Sequence, residues 1–417
     1  MSTARRILLL TPQLPYPPRQ GTSLRNYNLL AHLARRHTID LMALLQPGET
    51  LDDDSPLHVL CRRIVTAPAP RRSMADRLRA AFTTLLPDMA LRLESLTAWQ
   101  ALCPLLAQET YDVVQIEGIE MAAYGLAAAG LRLTPGARLI APPTIRPRIV
   151  FDDHNAEYVL QQRAWQTDRR RPLRWPAALY SLIQWQKLRR YERLVCRYAD
   201  AVAVVSANDA AALRRLLPDL EPAIVPNGVD LDAYAPGRVQ PLDLGPAALV
   251  FTGKMDFRPN IDAVEWMLPI LRRVREAMPQ ARLYVVGQQP HPRLLRLAAE
   301  PGMVITGAVP DTRPYIAGAT IYVVPLRVGG GTRLKVLEAM AFARAIVSTR
   351  LGIEGFDFAD GRELRLADTS EAFASAIIDL LGDPQARARL GAAARAAVEE
   401  CYGWERIVPR LERLYDA

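Results

Sequence analysis

Short runs of β-branched and aliphatic residues alternate along this chain with longer stretches whose apolar positions recur every three or four residues. The short runs predict buried strands and the longer stretches amphipathic helices. In the first half, strands are expected at 7–11, 38–44, 112–116 and 201–205, with another beginning within 139–151. The first helix is expected over about 24–36, behind a proline-rich loop that ends in Gly21, Thr22 and Ser23. Residues 50–110 read as mostly helical, and 165–198 as a basic, aromatic helix. Residues 232–246 are rich in Pro, Gly and Ala and lack periodicity, so they read as a linker between domains. The alternation then restarts. Strands are expected at 248–252, 282–286, 303–306, 320–324 and 345–348, interleaved with helices that include 332–342. A final amphipathic helix runs from Trp404 to Tyr415. Strands alternating with helices predict an α/β chain of two doubly wound parallel sheets, with ligands at the carboxyl ends of the strands. The two Rossmann-like halves are expected to face each other across a cleft, divided at 232/233, with 403–417 packing back on the first.

The stretch from Ala319 to Ala343 concentrates the candidate chemistry. A buried run, ATIYVVP, is followed by Gly329, Gly330 and Gly331, then by Thr332 as the expected helix N-cap. Glycines let backbone approach a ligand, and a helix N-terminus favours negative charge, so strand, glycine loop and helix together form an anion site. Arg333 and Lys335 add positive charge in the first turn, and Glu338 supplies an acceptor for a hydroxyl pair. A plain glycine turn with solvated side chains is the competing reading.

Composition changes that balance. The 417 residues carry 52 Lys plus Arg, yet lysine occurs only at 187, 254 and 335. Lys254 follows Gly253 at a strand end, and Lys335 follows the glycine loop. A compact ammonium is not equivalent to a guanidinium at a phosphate, so both lysines read as selected. The formal charge of +8 suits anionic partners, whether nucleotide phosphates, anionic lipid or nucleic acid. The four cysteines lack CxxC spacing, which argues against zinc and for reduced thiols in a cytoplasmic protein. The apolar run after Arg5 and Arg6 is too short for a leader, and no apolar stretch reaches the roughly 18 residues that would span a bilayer.

Other motifs narrow the chemistry. No GxGxxG follows a strand, no GxxxxGK[ST] occurs, and no GxSxG occurs. These absences argue against a dehydrogenase, a P-loop NTPase and a serine hydrolase. Asp152, Asp153, His154 and Asn155 follow a strand in the first half. The paired carboxylates suggest a metal, but ligands to complete a hard-cation site are not evident nearby. Asp230 and Asp232 follow the Asn227-Gly228 turn and read as turn and capping residues.

Taken in order, these segments resemble bacterial glycosyltransferases of family 4: the loop entry with Gly21, DxHN with His154, VVSAND at 204–209, PNGVD at 226–230, FTGKM at 251–255 and GGGTRLKVLEAMA at 329–341. The resemblance implies a GT-B fold and a retaining transfer from a UDP- or GDP-linked sugar to a glycan or lipid-linked acceptor, without an essential metal or other cofactor. It puts the acceptor on the first domain and the donor on the second. It places Gly21 and Gly253 near the donor diphosphate and His154 beside the transferred sugar. Lys254 would take the position of the family's phosphate-binding arginine, and Lys335 would support the anionic loop. Glu338 matches the second Glu of the family's E-x7-E motif, which holds the nucleotide ribose. The first Glu would fall at Gly330, so sugar hydroxyls would have to be met partly by backbone amides at Gly330, Gly331 and Thr332. The arginine-rich stretches at 62–79 and 169–190 read either as a peripheral contact with anionic membrane at the inner face of the plasma membrane or as a solvated surface. Nucleic acid is not expected, because no basic-aromatic module of a known type is present. A hydrolysing epimerase on the same architecture and a non-catalytic nucleotide-sugar binder are the alternatives. The first would need a carboxylate from Asp152 or Asp153.

Overall fold

The computed structural model describes residues 3–18, 21–137, 145–170 and 172–416. Arg19, Arg171 and the proline-rich segment at 139–144 lie outside the described residues. The chain divides into two compact units, Met1–Pro226 with Ile407–Ala417 and Asn227–Arg406. This division falls ahead of the expected 232/233 boundary.

In the first unit, seven strands are β1 (Arg6–Thr11), β2 (Thr38–Leu45), β3 (Arg63–Pro68), β4 (Val113–Glu117), β5 (Arg148–Asp153), β6 (Ala201–Val204) and β7 (Ala223–Ile224). Their order is β3-β2-β1-β4-β5-β6-β7, all parallel. Ile7 to Leu10 and Ile39 to Leu44 have essentially no exposed surface, and all are apolar except Asp40, which is buried as a charge. Continuous apolar runs are what a parallel sheet covered on both faces requires. Asp40 is tolerated because Arg62 and the Tyr111 hydroxyl, at 2.7 Å, satisfy its carboxylate.

β3 corrects the expectation of a mostly helical 50–110. It is an edge strand paired only with β2, and its residues are mostly half-exposed. Arginines on either side of a half-exposed strand obscure its apolar pattern. The first helix also starts earlier than expected. It spans Gly21–Leu33, so Gly21 is its first residue and does not precede it. The last helix, Trp404–Asp416, contributes its later turns to the first unit. There Glu412 pairs with His37 at 2.9 Å and Arg36 at 2.8 Å, and the Leu414 carbonyl accepts from Arg148 at 2.6 Å.

The second unit has six strands, β8 (Ala248–Thr252), β9 (Arg282–Val286), β10 (Met303–Gly307), β11 (Ile321–Val324), β12 (Ile346–Ser348) and β13 (Arg365–Leu366). Their order is β10-β9-β8-β11-β12-β13, again all parallel. In both sheets the order reverses beside the first strand, between β1 and β4 and between β8 and β11. Crevices form at such switch points, outside the carboxyl ends of the strands. Residues 232–246 are not a free linker. Leu242 donates its amide to the Pro314 carbonyl at 3.1 Å, the Tyr284 hydroxyl donates to the Leu244 carbonyl at 2.9 Å, and Tyr234 packs edge-on against Phe342. This segment belongs to the second unit, where tertiary contacts replace the missing periodicity.

Candidate active site

In the second unit the site grows from the ends of β8 and β11. Phe251 and Thr252 finish β8, and Gly253 and Lys254 follow. The Gly253 amide donates to the Val286 carbonyl at 3.0 Å, tying the end of β8 to that of β9. At Gly287, just past β9, a Cβ would stand 1.7 Å from the Gly253 carbonyl oxygen. Only glycine permits this approach.

β11 leads into the glycine loop, where Gly329 and Gly331 hold φ of 114° and 81°. The helix that follows is Leu334–Ala341, and its N-cap is Arg333, with no side-chain cap bond. Thr332 is therefore not the cap. Its hydroxyl accepts from the Asn227 amide at 2.6 Å. The Arg333 guanidinium turns back and bonds the Gly330 and Gly331 carbonyls, the latter at 2.7 Å.

Lys335 reaches the end of β8. Its Nζ donates to the Thr252 carbonyl at 2.5 Å and to Asn260 Oδ1 at 3.2 Å, and lies 4.2 Å from the centre of the Phe251 ring. Burial lowers its pKa to about 7; the Arg333 charge adds to this and the Glu338 charge opposes it. An ammonium has three N–H donors, so one remains for a ligand oxygen. Asn260 completes the cluster by donating to the Lys254 carbonyl at 2.8 Å. The Lys254 side chain is exposed, with Asp256 at 3.5 Å. Glu338 accepts from the Tyr234 hydroxyl at 3.1 Å, and its carboxyl pKa is raised by burial against the opposing effects of Tyr234 and Lys335. Gly253, the Lys254 carbonyl, Asn260 and Lys335 thus meet at the carboxyl end of β8, with Lys335 in the first turn of the helix that follows the glycine loop and Glu338 one turn further in. Tyr234 was missed because it lies in the segment read as a linker.

The first unit has its own crevice at the carboxyl ends of β4 and β5. A cavity of about 550 Å³ is lined by Thr22, Arg72, Arg92, Glu120, Asp153 and His154, among others. His154 sits one residue past β5, and its Nε2 lies 2.8 Å from Glu117 Oε2 at the end of β4. Glu117 is fully buried and also accepts from Gln115, whose own oxygen accepts from Tyr415. Burial alone would lower the His154 pKa. The Glu117 bond and the charges of Asp152 and Glu117 outweigh it, so the imidazole is held above its ordinary value. Gly21 stands at the start of the helix whose Thr22 lines this cavity.

The two carboxylates ahead of His154 play different parts. Asp152 forms a buried bidentate pair with Arg25, Nε to Oδ2 at 3.0 Å and Nη2 to Oδ1 at 3.1 Å, and Arg25 also donates to the Val225 and Pro226 carbonyls. Asp152 Oδ, Glu117 Oε and a His154 ring nitrogen lie within 4.8 Å of one another, a spacing that could hold a cation. The Arg25 guanidinium already supplies the positive charge there, so the donor set does not fit a metal. Asp153 is 1 % exposed and held well above the usual carboxylate range, first by burial and then by the Glu192 charge. Glu192 accepts the Glu157 and Tyr158 amides at 2.9 and 3.0 Å, and burial lifts its pKa to about 7. Asp152 is thus engaged by Arg25, whereas Asp153 is buried beside Glu192. Glu117 and Arg25 escaped the sequence reading because each lies far along the chain from its partner.

Comparison with known proteins decides the family. Residues 19–233, just over half of the chain, match the family described as Glycosyltransferase Family 4. The chain belongs to glycosyltransferase family 4. Residues 246–383 of this family 4 member match a second domain description, Glycosyl transferases group 1. Among curated proteins it is 28 % identical over 201 residues to a phosphatidyl-myo-inositol mannosyltransferase of Mycolicibacterium smegmatis, covering 46 % of this chain and 51 % of the relative. It is 28 % identical over 242 residues to a GDP-mannose-dependent alpha-(1-6)-phosphatidylinositol monomannoside mannosyltransferase of the same organism, covering 53 % and 60 %. The chain therefore spans only about half to three-fifths of the length of these relatives. Among solved structures it resembles a sucrose-phosphate synthase from Thermosynechococcus elongatus, with a TM-score of 0.70 and 20 % identity over 99 % of this chain and 98 % of that one. It also resembles Anabaena HepE in complex with UDP and glucose, with a TM-score of 0.66 and 15 % identity over 98 % of each. With its two parallel sheets, the family 4 chain has the GT-B fold.

Proposed function

We propose that this chain transfers a hexosyl group from a UDP- or GDP-linked sugar to a glycan or lipid-linked acceptor, with retention of anomeric configuration, in the synthesis of a cell-surface or exported polysaccharide. The observation that carries this reading is Lys335, in the first turn of the helix after the glycine loop and anchored at the end of β8, where Gly253 and Lys254 follow. Charge builds on a departing diphosphate, and preorganised cations and a helix N-terminus stabilise it without reorganisation. Lys335 is held in place by Thr252 and Asn260 with a donor left over, while Lys254 is exposed and can close on a phosphate. Glu338, positioned by Tyr234, would hold the ribose hydroxyls, and Gly330, Gly331 and Thr332 would meet the sugar. His154, oriented by Glu117, would face the transferred sugar. No metal or other cofactor is needed in this scheme, because side-chain cations take the phosphate charge. The similarity to two phosphatidylinositol-directed mannosyltransferases supports a lipid-linked acceptor, and the UDP bound by HepE supports a nucleotide donor. The reaction would take place in the cytoplasm.

The test is thermal shift with UDP, GDP, ADP and NAD on wild type and Lys254→Ala. Stabilisation by one nucleoside diphosphate, much reduced in the variant, is the expected result and names the base. A shift with NAD alone, or an equal shift in the variant, would overturn the phosphate assignment. Anomeric configuration of the product by NMR tests retention.

A further inference from the structure

The apolar residues that the fold leaves exposed on the first unit are concentrated on one pair of helices. On the Met74–Thr83 helix, Met74, Leu78 and Phe82 are 64 %, 47 % and 73 % exposed. Their spacing of four puts them on one side of the helix, and Leu85, just beyond, is also exposed. On the Trp175–Tyr198 helix, Trp175 and Leu179 are exposed with the same spacing, and Leu173 precedes them. The two helices are fixed to each other. Lys187 donates from the longer helix to the Ala80 and Ala81 carbonyls at 2.9 and 2.8 Å, and Arg77 lies over the Tyr180 ring. Tyr180 faces Arg77 and Lys187 faces Ala80, so the helices run side by side in the same sense. Met74 and Leu78 therefore lie towards the Trp175–Leu179 end.

The charge on this face is one-sided. The longer helix extends about 36 Å at its 24 residues. Along the side that begins with Trp175 and Leu179, its second half presents Arg189, Arg193 and Arg197, with Arg190 beside them, all exposed. Its single carboxylate, Glu192, is fully buried. Arg71, Arg79 and Arg170 are exposed near the apolar residues. Other arginines of the two basic stretches are committed elsewhere: Arg62 to Asp40, Arg63 to Glu109, Arg72 and Arg77 to Asp88, and Arg174 to Asp168. Asp76 is the one exposed acid on the shorter helix, and it is bonded to Ser73. An apolar stripe with a row of arginines and almost no opposing acid suits an anionic lipid surface, where aromatic and aliphatic side chains enter the headgroup boundary and arginines meet phosphates. Among the described residues no helix is long and apolar enough to cross a membrane, so the contact is with the surface.

We propose that the paired helices Met74–Thr83 and Trp175–Tyr198 dock the first unit on an anionic phospholipid bilayer. Arg72 and Arg77, at the same helix, line the cavity that contains His154. A lipid-borne acceptor would therefore enter from the docked side, a consequence that rests on the transferase reading, whereas docking itself does not.

The experiment is co-sedimentation of the full chain with vesicles of phosphatidylcholine alone and of phosphatidylcholine with phosphatidylglycerol. Wild type, an Arg189→Gln/Arg193→Gln/Arg197→Gln variant and a Leu78→Ser/Phe82→Ser variant are compared, each checked for an unchanged thermal midpoint. Wild type should bind only the anionic vesicles, and rising salt should release it. The triple variant should bind roughly a hundredfold more weakly, and the double variant at least about tenfold more weakly. Equal binding to neutral vesicles, no binding to anionic ones, or wild-type binding by both variants would overturn the proposal. So would a dimer in solution that the Leu78→Ser/Phe82→Ser variant dissolves, which would assign the face to a second copy. Since vesicle binding is read without sugar transfer, its failure and that of the transferase reading are separate.

Discussion

If Lys335 meets the donor phosphates as proposed, donor binding depends on pH, and the size of the effect follows from the surroundings of the lysine. Its ammonium is held near pKa 7, mainly by burial and then by the neighbouring Arg333 charge. A diphosphate placed against its remaining N–H favours the charged form, so the pKa in the complex rises. Between the free and bound values, binding takes up a proton and affinity must fall as pH rises. If only the ammonium form binds, the dissociation constant should be flat below about pH 7 and weaken up to about tenfold per pH unit above it. A nucleotide-diphosphate sugar is the right ligand, because its diester phosphates stay ionised throughout and add no titration of their own. Calorimetric titration with UDP-glucose and GDP-mannose from about pH 6 to pH 9 measures this. Lys335→Met should weaken binding at the acid end by roughly tenfold to a hundredfold, the value of a charged hydrogen bond, and should remove the slope. A wild-type affinity that does not change with pH, or the same slope in Lys335→Met, would refute the assignment of this lysine to the phosphates.

Two further predictions concern the first unit. Glu117→Gln replaces the charge facing His154 with a neutral amide, so His154 should titrate at lower pH, and kcat at neutral pH should drop roughly a hundredfold with KM little changed; a kcat–pH profile that superimposes on wild type would show Glu117 to be structural only. Glu157 and Glu192 have pKa values raised by burial from an ordinary 4.5 to about 8 and about 7. Folded-state values above the unfolded ones mean that stability present below the ordinary value is lost as pH rises through about 7 to 8, at up to about 1.4 kcal/mol per pH unit for each group. Asp153 and His154, also raised, act in the same direction, while Lys335, lowered, acts in the opposite one. Chemical denaturation across this range should show a smaller decline for Glu192→Gln than for wild type, and parallel curves would count against a buried acidic cluster.

The strand positions of the central sheets were legible because parallel strands buried on both faces must be continuously apolar, as at Ile7 to Leu10 and Ala248 to Val250. The glycine loop was legible because the positive φ of Gly329 and Gly331 demands the backbone freedom of glycine. What the linear chain withheld were features whose cause is another part of the chain. The edge strand Arg63–Pro68 is defined by pairing with β2, not by its own pattern. Tyr234 becomes part of the site because Glu338, 104 residues later, accepts its hydroxyl. Asp152 and Asp153 are adjacent and chemically identical, yet Arg25 keeps one satisfied as an ion pair, and burial beside Glu192 raises the pKa of the other. Local composition decides which segments can be strand, loop or helix, because propensity and burial pattern act over a few residues. Charge state and partnership depend on desolvation and on groups brought within a few ångströms, and only the tertiary structure settles those.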